Sequence, residues 1–206
     1  MPENIARILL VAATDAEMPK AKLSCVDGLI IGVGMVSACF QLTKVLSNSK
    51  YVLVVNIGIA GSFNSQFNIG SVVQVVSDRF TELGVEDHER FIPANEVGLV
   101  PMEKLHFETE LRAGLLPTAN GITVNRVHGS VDTIKEVRSQ FSPDVESMEG
   151  AAVAFVCKQF NIPWVQLRSV SNMVEPRNRA AWNIELALRN LHGVLPEILE
   201  NITDEA

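Results

Sequence analysis

Short polar motifs at the ends of apolar runs are the places where this chain could do chemistry. Gly32-Val33-Gly34 follows one such run and looks like half of a dinucleotide fingerprint, whose glycines let the backbone approach a pyrophosphate. The third glycine is missing, because position 37 is Ser37, and no acidic residue ends the following strand to hold a ribose hydroxyl. Glycines that only permit a tight turn are the plainer reading, so no nicotinamide site is expected. Ser147-Met148-Glu149-Gly150 opens a helical stretch, with Ser147 readable as its N-cap and Glu149 well placed against the helix dipole. Arg168 and Asn172 leave another apolar run, and an arginine emerging from a buried strand needs a carboxylate partner. Glu17 could equally be an acid at a helix start. Taken singly, each has a structural reading beside the chemical one.

The elements that must position them alternate. Residues 7–13, 28–32 and 51–57 are aliphatic runs of the kind buried on both faces of a sheet, and 70–76, 122–127 and 163–170 are further strands. Residues 35–46 carry Val36, Cys39, Phe40, Leu42, Val45 and Leu46 at helical spacing, with Lys44 outside. Helices are also expected over 133–141, 148–160 and 179–195, the last kinked by Pro196 before Asn201. Such alternation predicts an α/β fold: a three-layer α/β/α sandwich around a central twisted mixed sheet. Ligands of such sheets bind beyond the carboxyl ends of the strands. That rule selects 14–17, 58–63, 145–150 and 169–172. The charged, least regular stretch 78–102 has the length of a lid or binding element.

Composition narrows the field. The 206 residues suffice for one core, read as a single domain over 1–206. The formal charge of −7 disfavours binding to nucleic acid and to anionic membranes. Three scattered cysteines and four scattered histidines give no disulfide framework and no metal-ligand spacing, which fits a cytoplasmic protein without a metal. The longest apolar runs are too short to span a bilayer.

In combination the motifs are far more specific. Val145-Glu146-Ser147-Met148-Glu149-Gly150-Ala151-Ala152, Ile162-Pro163-Trp164-Val165 and Leu167-Arg168-Ser169-Val170-Ser171-Asn172 together resemble the nucleoside phosphorylase and nucleosidase superfamily. Ala12-Ala13-Thr14-Asp15-Ala16-Glu17-Met18 is similar to the first-strand motif of its methylthioadenosine nucleosidases. Gly32-Val33-Gly34-Met35-Val36-Ser37-Ala38 and Asn56-Ile57-Gly58-Ile59-Ala60-Gly61-Ser62 match two further family loops, in order. The resemblance implies cleavage of a purine N-glycosidic bond without a cofactor. It gives Glu17 the activation of water, Glu149 the ribose hydroxyls and the developing cation, and Arg168 the ordering of both carboxylates. Asn172 would hold the purine. Met148, Ile59, Ala60, Gly61, Ser171 and Thr133 would contact the substrate. Relatives form dimers or larger oligomers, so a homo-oligomer is implied too.

Two departures refine this. Relatives that split methylthioadenosine carry aspartate where this chain has Asn172, and an amide presents one donor and one acceptor, which suits a 6-oxopurine. Phosphorylases of the superfamily hold phosphate with arginines where this chain has Glu17 and Asn56, so water is the expected nucleophile. The stretch from Ser171 to Trp182 resembles the corresponding segment of the futalosine hydrolases, as does the stretch from Gly121 to Ser130. That resemblance implies a nucleoside whose 5′ side carries a carboxylated benzoyl group, with Arg177 and Arg179 as candidate cations. A methylthioadenosine or aminofutalosine nucleosidase, a 6-oxopurine phosphorylase and a catalytically silent sensor are the competing expectations.

Overall fold

A computed structural model describes residues 7–20, 25–88, 90–114 and 116–205. The described elements are β1 (Ile8–Ala12), β2 (Val26–Ile30), α1 (Met35–Leu46), β3 (Leu53–Ser62), β4 (Val72–Arg79), β5 (Gly84–Asp87) and β6 (Arg90–Pro93). They continue with β7 (His106–Glu108), β8 (Thr118–Thr123), α2 (Val131–Phe141), β9 (Val145–Ser147), α3 (Gly150–Phe160), β10 (Trp164–Met173) and α4 (Ile184–Glu205).

The first strand shows why the sheet reads as unbroken aliphatic sequence. Leu9 and Val11 pack with Val54 against Leu42 and Leu46 of α1 and Val153 and Val156 of α3. Ile8, Leu10 and Ala12 face the other way, with Val55 and Ile57, against Leu191, Leu195 and Ile198 of α4. A strand covered on both faces has no position for a polar residue. The result is the expected α/β/α layering, a mixed sheet between α1 with α3 on one side and α4 on the other.

β3 is the hub of that sheet. Its first half pairs in parallel with β1 and its last residues pair antiparallel with β9, while its other edge runs beside β10. β10 continues antiparallel to β4, β4 parallel to β8 and β8 parallel to β9, which returns to β3 and closes a ring of strands. β2 extends the sheet from β1. The carboxyl ends of β1, β3 and β10 therefore converge, as expected of a ligand site.

Several boundaries differ from the sequence expectation. Residues 122–127 were expected as a strand, whereas β8 ends at Thr123. Ser147 is not the N-cap of α3. It lies in β9, and α3 begins instead with Thr123 Oγ1 accepting from the Ala151 N–H at 2.7 Å. α4 starts at Ile184, where the Asn183 side chain caps it by accepting from the Leu186 N–H at 3.0 Å, and it runs through Pro196 to Glu205. The stretch 78–102 holds the end of β4 and the β5–β6 hairpin rather than one irregular loop. On α1 the apolar pattern splits in two. Ala38, Leu42 and Leu46 are buried, but Val36 is 83% and Phe40 64% exposed, a second apolar stripe at i, i+4 that the core does not use. Among the described residues, no helix is long and apolar enough to cross a membrane.

Packing is tight where α3 meets the sheet. Asp78 is buried, accepting from Thr123 Oγ1 at 2.9 Å, from the Arg79 N–H at 2.7 Å and from Gln166 Nε2 at 2.8 Å. A Cβ on Gly150 would fall on Asp78 Oδ2 and Gln166 Nε2. Gly150→Ala should therefore cost about 1–3 kcal/mol, as overpacking does. Thermal unfolding should show this as a Tm lowered by roughly 2–12 °C; an unchanged Tm would mean that the α3 start gives way freely.

Candidate active site

Glu17 reaches its position through a turn just after β1. The Glu17 N–H donates to the Thr14 carbonyl at 3.1 Å. Its carboxylate folds back to accept from the Thr14 N–H and Oγ1, both at 3.0 Å, and from the Ile59 N–H at 3.2 Å. A ring nitrogen of His192, on α4, lies 2.8 Å from the Glu17 carbonyl and ties the turn to that helix. Glu149 sits at the N-terminal edge of α3 and accepts from the Gly34 N–H at 2.7 Å. Gly32 and Gly34, at φ +77° and +87°, make the left-handed turn that aims this donor. The glycine pair is thus a turn that serves a carboxylate.

Arg168 lies behind both carboxylates, 1% exposed. Its Nη1 donates to the Asn56 carbonyl and Oδ1, each at 3.3 Å, and to the Leu167 carbonyl at 3.0 Å. A Cβ on Gly58 would stand 2.9 Å from Glu17 Oε1 and 3.5 Å from Arg168 Nη1, so these two groups flank one backbone position. Burial lowers the Arg168 pKa, while Glu149, Glu17 and Asp78 hold it up. Burial likewise raises the Glu149 pKa above the ordinary glutamate range. The Gly34 N–H and Arg168 draw it back, and the charge of Glu17 pushes it further up.

β10 reaches the site through a bulge. Val170 pairs with Ala60 and Asn172 with Gly61, leaving Ser171 as the extra residue. Ser171 Oγ lies 3.2 Å from the Ala60 carbonyl and 2.8 Å from Asn172 Oδ1, and Asn172 Nδ2 donates to the Met173 carbonyl at 3.0 Å. The amide is thereby fixed with its donor and acceptor distinguished.

These groups surround one cavity of about 380 Å³. Of the residues singled out from sequence, Glu17, Glu149, Asn172, Met148, Ile59, Ala60, Gly61 and Ser171 all line it. Arg168 stands just behind that wall. Thr133 does not line it: it is in the first turn of α2, bonded to Ser130, and faces a separate groove with Arg126 and Glu136. Arg177 and Arg179 are exposed. Arg177 stacks 5.4 Å from the ring centroid of Trp182, which does line the cavity, whereas Arg179 is not among the lining residues. No described residue of 78–102 contributes to the wall. The sequence reading gave no role to Glu146, Val33, Trp182, Ile184 or Leu188, all of which line it. Trp182 and Glu146 fell inside motifs already noted, but their spacing alone carried no sign of a cavity. Among the described residues, no cluster of three or more His, Cys, Asp or Glu side chains could hold a metal ion.

A cavity beyond the carboxyl ends of β1, β3 and β10, lined by carboxylates and an amide among apolar residues, suits a small molecule having both a polyol and a flat heterocycle. Comparison with known proteins agrees with that class. The chain belongs to the phosphorylase superfamily, whose family model matches residues 22–200. It is 30% identical to a futalosine hydrolase of Streptomyces coelicolor over 97% of this chain and 92% of that one. It is also 30% identical to a 5′-methylthioadenosine/S-adenosylhomocysteine nucleosidase of Haemophilus ducreyi, over 95% and 89%. The fold superposes with TM-score 0.80 on a 5′-methylthioadenosine/S-adenosylhomocysteine nucleosidase of Colwellia psychrerythraea in complex with adenine, at 20% identity and 95% coverage of each chain. The TM-score is also 0.80 with a futalosine hydrolase of Helicobacter pylori, at 16% identity over 96% of this chain and 98% of that one.

The upward shift of Glu149 has a measurable sign. A carboxyl whose folded pKa exceeds its unfolded value costs stability once pH rises through that interval, and the cost disappears below it. Glu149→Gln should therefore match or exceed the parent Tm at neutral pH. The parent should gain on it as pH falls through the raised Glu149 pKa, as followed by thermal unfolding at stepped pH.

Proposed function

We propose that this protein is an N-glycosyl hydrolase that releases hypoxanthine from futalosine, a 6-oxopurine nucleoside, in menaquinone biosynthesis. The observation that carries the reading is the Asn172 amide, with its donor and acceptor fixed, in a cavity that also holds Glu17 and Glu149. Glu17 stands at Gly58–Ile59 and Asn172 at Gly61. At about 3.3 Å per residue along β3, that separation is roughly 10 Å, the reach of a sugar and its purine. Glu17, held by three donors, keeps one lone pair, on Oε1, free to accept a proton from water. Glu149 faces the ribose and its developing charge, and Met148 packs on the sugar. Asn172 donates to the six-oxygen and accepts from a protonated N7. The apolar wall of Trp182, Ile184 and Leu188 suits the aromatic 5′ group, with Arg177 beyond Trp182 for its carboxylate.

Water is favoured over phosphate because the buried positive charge of Arg168 is already offset by Glu17, Glu149 and Asp78. A dianion would meet carboxylates first. The test is chromatography of the base released from futalosine, inosine and methylthioadenosine, with and without phosphate. Hypoxanthine from futalosine at a phosphate-independent rate is expected. A sugar 1-phosphate, or preferred release of adenine, would overturn the assignment.

The same reading includes a homodimer. Val36 and Phe40 border an apolar groove of about 640 Å³ with Met35, Phe80 and Leu83, and the neighbouring Val33 is an exposed part of the cavity wall. A second copy seated there would cover the exposed stripe of α1 and the mouth of the site together. Light scattering should give twice the chain mass, and Phe40→Asp should give a folded monomer; a monomeric parent protein would dismiss the dimer.

A further inference from the structure

One face of α4 carries both a wall of the cavity and a tie to Glu17. Ile184 and Leu188 line the cavity. His192 follows at the same spacing, and residues four apart on a helix lie one above the other. Its Nε2 is 2.8 Å from the Glu17 carbonyl. A carbonyl only accepts, so Nε2 carries the hydrogen and donates it. The adjoining face holds the helix down: Leu191 and Leu195 are buried in one core cluster with Leu10 and Ala12 of β1.

Glu17 itself stands outside the sheet. It lies in a turn past the end of β1, closed by the Glu17 N–H on the Thr14 carbonyl at 3.1 Å. The carboxylate bonds from Thr14 and Ile59 orient the side chain, whereas the His192 bond fixes the far end of the turn to α4. The helix is weakened at that same place. Pro196 has no N–H to close on the carbonyl of His192, four residues back. Gly193 is exposed, and a Cβ placed on it would meet nothing within 4 Å. Ile184 to His192 is therefore a short helical segment, roughly 12 Å long at 1.5 Å per residue, with cavity contacts at one end and Glu17 at the other.

We propose that His192 is a positioning residue through which a substituent at the apolar end of the cavity sets Glu17 for the activation of water. The inference rests on the nucleosidase reading above, in which Ile184 and Leu188 meet the 5′ group of the nucleoside. A filled wall fixes the helical segment, and His192 passes that fixation to the Glu17 backbone. Contact made at the 5′ end is thereby expressed in kcat rather than in KM, which is how binding energy remote from the reacting bond speeds the chemical step. A nucleoside with a bare 5′-hydroxyl leaves the wall untouched and gains nothing from His192.

The test compares kcat within pairs of nucleosides that differ only at the 5′ position: futalosine with inosine, and methylthioadenosine with adenosine. In the parent protein the 5′-substituted member should have the higher kcat. His192→Leu, which keeps bulk but removes the donor, should lower that kcat roughly tenfold with KM within about twofold, bringing the ratio of the pair close to one. His192→Gln, whose amide can still donate, should recover most of the ratio. An unchanged ratio in a His192→Leu protein with parental Tm, whether both rates hold or fall together, would refute the proposal. Base release from the adenine pair alone would reject the 6-oxopurine reading, while the same ratio still decides on His192. Release from neither pair would reject both. Should His192→Leu not fold, the parent protein decides. The C-glycosidic analogue of inosine, which cannot be hydrolysed, is bound at saturation with and without a 5′-benzoyl ester. Amide hydrogen exchange at Glu17 should be roughly tenfold slower with the ester; equal exchange would sink the idea.

Discussion

A buried guanidinium is the constraint on which the rest of the structure depends. Arg168 stands in the middle of a strand buried along nearly its whole length, and an isolated charge there would cost many kcal/mol. Its compensation is spread over three carboxylates from three separate elements: Glu17 after β1, Asp78 in β4 and Glu149 before α3. No pair of these is close in sequence. The charge can be satisfied only when the sheet has closed and α3 has docked, so the electrostatics of the site and completion of the fold are one event. Removing Arg168 would leave the three carboxylates in surplus, a more costly state than the intact cluster.

The same economy governs the geometry around it. Glu17 is oriented by three donors from the backbone and Thr14, and Glu149 by one aimed from a glycine turn. Asp78 spends its lone pairs on Thr123, Gln166 and the Arg79 N–H, and through Thr123 supplies the acceptor that α3 needs at its first turn. Asp78 thus supports the site from behind, while Glu17 and Glu149 keep faces toward the cavity. Raising the Glu149 pKa by burial is the accompanying cost of a carboxylate that water does not already solvate.

Much of this was legible in the sequence, for identifiable reasons. Strands covered on both faces read as uninterrupted aliphatic runs, and the strand-end rule then pointed to Glu17, Ile59–Gly61, Met148–Glu149 and Ser171–Asn172, which share a wall. Two kinds of feature stayed hidden. Periodicity reports that α1 is apolar on a wide arc, but not that the core claims only Ala38, Leu42 and Leu46 while Val36 and Phe40 remain outside. Register across strands is equally silent. Glu146 meets Gly61 through a three-residue strand too short to show a period, and Asn172 meets it only because a bulge at Ser171 shifts β10 by one residue. Thr133, Arg177 and Arg179 show the reverse: near the right motifs in sequence, they lie on α2 or at the surface.

The two sets of relatives make the position of substrate choice a physical question. The chain is 30% identical to a futalosine hydrolase and to a methylthioadenosine/S-adenosylhomocysteine nucleosidase, and its fold matches one of each with the same TM-score. Neither backbone shape nor overall identity can therefore separate the substrates. If, as proposed, the charge cluster faces the sugar, it cannot do so either, since every purine nucleoside would bring it the same ribose. What differs among candidate bases is the order of donors and acceptors along one edge of a planar ring. On the proposed reading that edge is met by Asn172, and exchanging its amide for a carboxylate would alter the recognised base without disturbing Arg168 or its partners.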